Sequence, residues 1–398
     1  MNETKTHPQM NSVPGGFGLY VHWPFCISKC PYCDFNSHLT GAVDHAAWKS
    51  SLLRELDHYG NITRGRRLET VFFGGGTPSL MPPETTAAVI EALDTYWNVA
   101  PNIEITLEAN PSSVETQRFA DFRSAGVNRV SLGVQSFRDC DLAFLGRSHT
   151  GNEAQNAIAL AQHHFNRVSF DLIYALPDQS VKSWAGQLQQ ALSFDTGHLS
   201  LYQLTIEKGT PFFAEHKKGI FRMPDDDLSA DLYEKTSELT SESGFCSYEI
   251  SNYAVLGQES RHNLTYWQGG DYVGVGPGAH GRLTIKGDRF RTEQVSLPMN
   301  WLSAVAKTGH ATRNFELIPK AEHITECLMM GLRMSTGVDR DLFAIQTGKE
   351  LDASMDQSNV AALVSAGLVE LDEKGLRTTN LGRLRLNGVI AALAPEFG

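Results

Sequence analysis

The 398-residue sequence has no apolar run approaching the ~20 residues that a membrane-crossing helix needs. Its first sixteen residues, MNETKTHPQMNSVPGG, are polar and lack the apolar core of a secretory signal. Positive charge is also short, with 34 Lys and Arg against 45 Asp and Glu for a net charge of −11. Phosphate contacts need clustered Lys and Arg, so this balance argues against a nucleic-acid or anionic-membrane binder. Cysteine is sparse as well. Of six, Cys140, Cys246 and Cys327 are scattered and make no disulfide framework. They read as reduced thiols, and the chain reads as cytoplasmic.

The other three cysteines fall in one stretch, YVHWPFCISKCPYCDFN, as C-x3-C-x2-C: Cys26, Cys30 and Cys33. A tetrahedral zinc site takes four ligands, so three thiolates do not close one. They suffice for three irons of a [4Fe–4S] cube and leave the fourth iron open to a ligand that is not protein. Zinc completed by a distant Cys or His, or a redox CxxC with a spare thiol, are the competing readings. Pro24 and Pro31 stiffen the loop, and Phe25, Tyr32 and Phe35 are placed to shield a cube from water.

Around this loop the pattern alternates. Strands are expected at 17–23, 68–73, 103–108, 129–133, 168–174 and 198–204. Helices are expected at 44–59, 83–97, 114–125, 153–164, 181–193 and 225–243, with 245–250 extended. That order implies an α/β fold, a partial (β/α) barrel with its chemistry at the C-terminal ends of the strands. The domain plan is a loose tail at 1–16, a core at 17–291 with a glycine-rich aromatic loop at 251–282, and a linker at 292–320. A small α+β module with a winged-helix pattern follows at 321–398. This module holds seven Lys and Arg against eleven Asp and Glu, so a packing or lid role fits it better than DNA binding.

The cysteine loop, the turn Gly74-Gly75-Gly76-Thr77, Glu108, Gln135 and Asp171 all fall at or just past expected strand ends. Glycines let backbone approach a ligand. Acidic and amide groups suit ribose hydroxyls, and Arg147 suits a carboxylate. Each also has a plain structural use, as a turn, a strand or helix cap, or a surface ion pair. Farther on, His262-Asn263-x-x-Tyr266-Trp267 sets an imidazole beside two flat rings, which suits a planar porphyrin. On chemistry alone, ring packing with a backbone-bonded His262 is the stronger reading there.

Taken together, YVHWPFCISKCPYCDFNSH, FFGGGTPS, LEANP, GVQSF, GRSH, DLIYALPDQ, HNLTYW and GVGPGAHG resemble the radical S-adenosylmethionine (SAM) superfamily. Within it they resemble the family around the oxygen-independent coproporphyrinogen III dehydrogenase, on its haem-chaperone side. The resemblance runs from Phe17 through the C-terminal module. It implies a [4Fe–4S] cluster on Cys26, Cys30 and Cys33, with SAM chelating the open iron. It implies SAM contacts from Tyr20, Tyr32, Gly75, Gly76, Thr77, Glu108, Gln135, Arg147 and Asp171. It implies haem contacts from His262, Asn263, Tyr266 and Trp267, delivery of haem to respiratory enzymes at the membrane, and a homodimer. Three departures stand out. Gly76 occupies the position where the family's GGE-like turn carries Glu. The dehydrogenase has a further cysteine two residues after the third, where this chain has Phe35. The dehydrogenase also carries a longer N-terminal arm, whereas nineteen residues precede Tyr20 here. The last two favour a chaperone over the radical oxidative decarboxylation of a porphyrinogen.

Overall fold

The computed structural model describes residues 13–39 and 41–393, so most of the expected tail lies outside the described residues. Six parallel strands follow one another in space in chain order: β1 (Phe17–Trp23), β2 (Arg67–Gly75), β3 (Asn98–Ala109), β4 (Arg129–Gln135), β5 (Arg167–Tyr174) and β6 (Gly197–Gln203). The intervening helices are α1 (His45–Ile62), α2 (Pro83–Tyr96), α3 (Ser113–Thr116), α4 (Phe119–Ser124), α5 (Asp139–Phe144), α6 (Gly151–His164) and α7 (Val181–Leu192). Consecutive parallel neighbours joined through helices make a partial barrel. After β6 come α8 (Pro211–Lys217) and α9 (Asp226–Glu242).

The stretch expected as an irregular aromatic loop is regular. Beyond β7 (Cys246–Ser247) it holds β8 (Asn252–Ala254), α10 (Arg261–Trp267) and β9 (Asp271–Val275). Ser260 caps α10 by accepting from the Asn263 N–H. Strand β9 runs parallel to β1, with Phe17 opposite Asp271. Its glycines serve close backbone approach, since a Cβ on Gly274 would sit 2.0 Å from the His280 carbonyl oxygen.

The expected linker is also built into the body. Strands β10 (His280–Ile285), β11 (Asp288–Gln294) and β12 (Thr312–Leu317) extend the sheet antiparallel to one another. Helix α11 (Pro298–Thr308) buries Trp301 and Val305. Trp301 stacks on Trp48 of α1 at 5.0 Å, so tertiary packing claimed this segment. The full order is β12-β11-β10-β9-β1-β2-β3-β4-β5-β6-β8-β7.

The last part carries α12 (Lys320–Gly331), β13 (Val338–Asp339), α13 (Arg340–Thr347), α14 (Gln357–Ser365), β14 (Val369–Leu371), β15 (Gly375–Thr378), α15 (Asn380–Arg383) and α16 (Leu386–Leu393). A three-stranded sheet, β13-β15-β14, packs with these helices in the winged-helix manner. They share a separate core around Leu328, Phe343, Leu376 and Val389.

The two faces of the barrel strands differ in chemistry. One face carries Leu19, Val21, Val71, Phe73, Leu107, Val130, Leu132, Phe170, Leu172, Leu199 and Leu201, all buried in the main core beneath the helices. Because side chains alternate along a strand, the other face falls to Tyr20, Thr70, Thr106, Glu108, Arg129, Ser131, Ser169, Asp171, His198 and Ser200. Register sets these in rows: Thr106 beside Arg129, Glu108 beside Ser131, Ser131 beside Ser169, Ser169 beside His198, and Asp171 beside Ser200. The barrel lumen is therefore polar, and it is here that a ligand finds partners.

Candidate functional site

Helix α10 occupies the base of the lumen. His262 is buried, and its backbone N–H donates to the Glu104 carboxylate at 3.1 Å. Its ring stacks on Phe72 at 5.1 Å. Both ring nitrogens are engaged, Nδ1 with the Thr70 hydroxyl at 2.8 Å and Nε2 with the Tyr266 hydroxyl at 2.6 Å. Burial pushes the imidazole down to about 3, so it is neutral. Asn263 reaches the Tyr248 hydroxyl at 3.4 Å. Glu104 is paired with Arg167 at 2.5 Å at the same end.

Above this base, at the C-terminal ends of the strands, lies a cavity of about 410 Å³. It is lined by Cys26, Cys30, Tyr32 and Cys33 from the loop after β1, and by Gly75, Gly76 and Thr77 after β2. Glu108, Gln135, Arg147 and Asp171 also line it. The structure thus brings together the three cysteines and eight of the nine residues expected at SAM. The exception is Tyr20, whose hydroxyl bonds His22 Nδ1 at 2.9 Å and which is not on the cavity wall. His262, Asn263, Tyr266 and Trp267 are not on it either, and no residue of the C-terminal module lines it among the described residues. The module packs instead on the sheet at β10 and β11, through Arg282–Glu326 at 3.0 Å and Arg291–Glu322 at 2.7 Å. A packing role therefore fits it, and a lid over this cavity does not.

The three thiols meet donors. The Thr77 hydroxyl donates to Cys26 Sγ at 3.5 Å and Arg147 Nη1 to Cys30 Sγ at 3.3 Å, while Cys33 Sγ lies 3.9 Å from the Ser37 hydroxyl. Such contacts stabilise thiolate once a metal removes the proton. Among the described residues no three His, Cys, Asp or Glu side chains could hold a single metal ion. Thiols spread along a cavity wall suit a cube, in which each takes its own iron. Phe35, expected as a shield, is 63% exposed, and Phe25 packs into the core against Trp23 and Trp48, which leaves Tyr32 beside the thiols.

Close packing explains the glycine turn. Gly75 has φ of +117°, and a Cβ on Gly76 would lie 2.8 Å from the Phe25 carbonyl oxygen. The cysteine loop runs directly over this turn, with the Gly76 N–H donating to the Trp23 carbonyl at 2.7 Å. No side chain fits where the related turn carries Glu. Opposite, Gln135 takes a left-handed φ of 70° at the end of β4, and its buried Oε1 has no partner. A strained residue with an unpaired acceptor facing a cavity marks a place where a ligand supplies the missing donor. Burial and the neighbouring Asp171 push Glu108 up to about 8, and burial pushes Asp171 up to about 6.

Sequence reasoning missed several wall residues. Asn110 accepts from Arg147 Nη2 at 2.5 Å. Glu115 is buried and accepts from the Asn110 N–H at 2.8 Å and from the Ser79 hydroxyl. The S-x-x-E pattern of Ser112 and Glu115 was the available signal, because it is a capping-box signature. Arg147 also donates to the Gly133 carbonyl at 2.8 Å, so it ties the cysteine loop to β4 besides facing the cavity.

Asn36 ties the same loop to the far side. Its Nδ2 donates to the carbonyls of Pro277 at 2.9 Å and Ser296 at 3.0 Å, and its own carbonyl accepts from His22 Nε2 at 2.9 Å. Asn36→Ala should cost about 1 kcal/mol per lost hydrogen bond. Asn36→Asp should cost more, because a carboxylate would face two carbonyl oxygens. Limited proteolysis within 27–39 reads this, and cutting no faster in either variant would refute the tether.

Comparison with known proteins bears on this geometry. Residues 20–186 match the family model of the radical SAM superfamily, and residues 318–385 match the HemN C-terminal domain. The mitochondrial radical S-adenosyl methionine domain-containing protein 1 of Mus musculus is 41% identical over 98% of this chain and 90% of its own. Heme chaperone HemW of Escherichia coli (strain K12) is 38% identical over 95% of this chain and 98% of its own. HemW of Bacillus subtilis (strain 168) is 32% identical over 95% and 99%. In three dimensions the chain is similar to coproporphyrinogen III oxidase HemN of Escherichia coli, with a TM-score of 0.79 over 96% of this chain and 90% of that one. At 23% identity this last likeness is one of fold.

Proposed function

Because this chain belongs to the radical SAM superfamily, in the family of the haem chaperone HemW, we propose that it is a haem chaperone, holding a [4Fe–4S] cluster on Cys26, Cys30 and Cys33 with SAM beside it. When bound, the cluster supplies an electron and an open iron for SAM. Around that pair the chain's own residues bind and orient. Arg147 offers a guanidinium to a carboxylate, Glu108 and Asp171 accept from hydroxyl or ammonium groups, and Gln135 awaits a donor. The chaperone would deliver haem to respiratory enzymes from the cytoplasm, as a homodimer in this reading. None of the described helices is long and apolar enough to cross a membrane.

One observation carries the reading: the three thiols share a wall with Glu108, Gln135, Arg147 and Asp171, while the position two residues after Cys33 is Phe35, at the rim of that wall and without a metal ligand. Among the proposed haem contacts His262, Asn263, Tyr266 and Trp267, ligation by His262 requires α10 to leave the base of the lumen, because both His262 nitrogens are bonded within the fold. The test is anaerobic. Reconstituted protein is expected to bind about one haem per chain and to pass it to an apo-acceptor. Hydrogen exchange in 260–270 should rise on haem binding. Reduced, SAM-loaded protein should make no protoporphyrinogen from coproporphyrinogen III. Multiple turnovers of that substrate would make the chain a dehydrogenase instead.

A further inference from the structure

Arg129 lies in the lumen between the base and the cavity. It is 3% exposed, and two buried carboxylates attract it, Glu104 below, which is ion-paired with Arg167, and Asp171 above. A buried guanidinium is costly unless neighbouring carboxylates use its charge. Nη1 reaches the Thr106 hydroxyl of the neighbouring strand at 3.5 Å, and the other hydrogen bond leads upward. Nη2 donates to the Ser169 hydroxyl at 3.0 Å, and Ser169 donates to the Ser131 hydroxyl at 2.9 Å. Ser131 lines the cavity beside Asp171. The serine spacing is not accidental, because Ser131 and Ser169 are register partners and Asp171 lies two residues beyond Ser169 on the same face of β5.

We infer that Arg129 is a positioning residue for this cavity, acting through Ser169 and Ser131 to present Asp171 as an acceptor for a ligand's vicinal hydroxyls. The inference rests on the SAM reading for the identity of that ligand, since a ribose supplies such a diol. A chain of hydroxyls ending on a cation is polarised in one direction. Each oxygen accepts from below and donates upward, so the last proton points at the carboxylate.

The groups that face Asp171 come from every neighbouring element. Glu108 on β3, pushed up to about 8 by burial and by the Asp171 charge, is neutral where Asp171 titrates. Arg129 on β4 and Arg147 after β4 attract Asp171, and the hydroxyls of Ser200 on β6 and Ser131 on β4 donate to it. Tyr202 on β6 is the remaining titratable neighbour. Burial places Asp171 at about 6 with all these partners present. Taking away the cation, or the hydroxyl that transmits it, raises that value further. Binding of a diol then demands a higher pH.

The test uses the full chain labelled with 13C-carboxyl aspartate, with Asp171→Asn assigning the signal. The Asp171 midpoint is expected to move up by about one unit in Arg129→Gln, to move up in Ser169→Ala, and to return part of the way in Arg129→Lys. If Arg129→Gln does not fold, Ser169→Ala decides. Unchanged midpoints in the folded variants overturn the inference. A second arm follows SAM binding by calorimetry against pH, where the loss of affinity on acidification should move with the Asp171 midpoint. If the midpoints move but the parent binds no SAM, the relay stands and the SAM reading falls. If SAM binds with the same pH profile in every variant, Asp171 is not the diol acceptor and the inference is overturned.

Discussion

Cys26→Ala, Cys30→Ala and Cys33→Ala should each give a colourless protein after anaerobic reconstitution, where the parent takes up about four irons and four sulfides per chain. The expectation follows from ligand count. With one thiolate per iron and one iron already open, losing one of the three protein ligands leaves the cube held at two corners. Neighbouring groups do not compensate, because Thr77, Arg147 and Ser37 meet the thiols as hydrogen-bond partners and are not metal ligands. Burial raises the Cys26 and Cys33 thiols, so assembly must drive their deprotonation, and metal binding does so. Cys140→Ser, Cys246→Ser and Cys327→Ser should keep the colour. The first two thiols are exposed and off the cavity wall, and Cys327 belongs to the C-terminal core. Stoichiometric zinc without iron in the parent, or full iron in Cys30→Ala, would sink the cluster assignment.

The largest loss of stability is expected at Asp271. This carboxylate is fully buried at the start of β9 and pairs with Arg66 at 2.5 Å and with Arg289. It also accepts from the Thr284 N–H at 2.5 Å and the Thr284 hydroxyl at 2.9 Å. One side chain thus neutralises two cations and joins the approach to β2 with β9, β10 and β11. Asp271→Ala strands both guanidinium groups and should cost about 3–5 kcal/mol, the range for breaking a buried pair from one side. The exposed Lys235–Glu238 pair on α9 is the control, and Glu238→Ala should change stability by less than about 1 kcal/mol. Urea unfolding with the slope checked reads both. A loss below about 1 kcal/mol for Asp271→Ala would mean that water reaches the two arginines.

The parallel half of the sheet was legible because buried strands announce themselves. Arg129-Val130-Ser131-Leu132 shows its outward apolar face in the alternation alone. Glu108 and Gln135 were legible as polar residues closing apolar strands. Asp171 was found for the same reason, though it lies inside β5, three residues before its end. Ser131 was not, because one small hydroxyl within a strand does not say which face holds water.

The β10–β11 hairpin had a signal that went unread. Lys286 and Gly287 both take positive φ, 53° and 90°, as a two-residue hairpin turn requires. The charged residues on both flanks hid it. His262 shows the limit of local reading. Its neighbours in sequence are rings and a porphyrin is a fair guess, but its partner Thr70 comes from β2, 192 residues away.

The floor made by α10 also orders events in time. With the base of the lumen occupied, traffic into the cavity passes the rim formed by the cysteine loop and the strand ends. Whatever sits deepest must arrive first and leave last. A molecule resting across Ile27 and Phe35, both 63% exposed at that rim, would hold the smaller ligand in place for as long as it stays. Exchange of the inner ligand would then be timed by residence at the rim as well as by its own contacts.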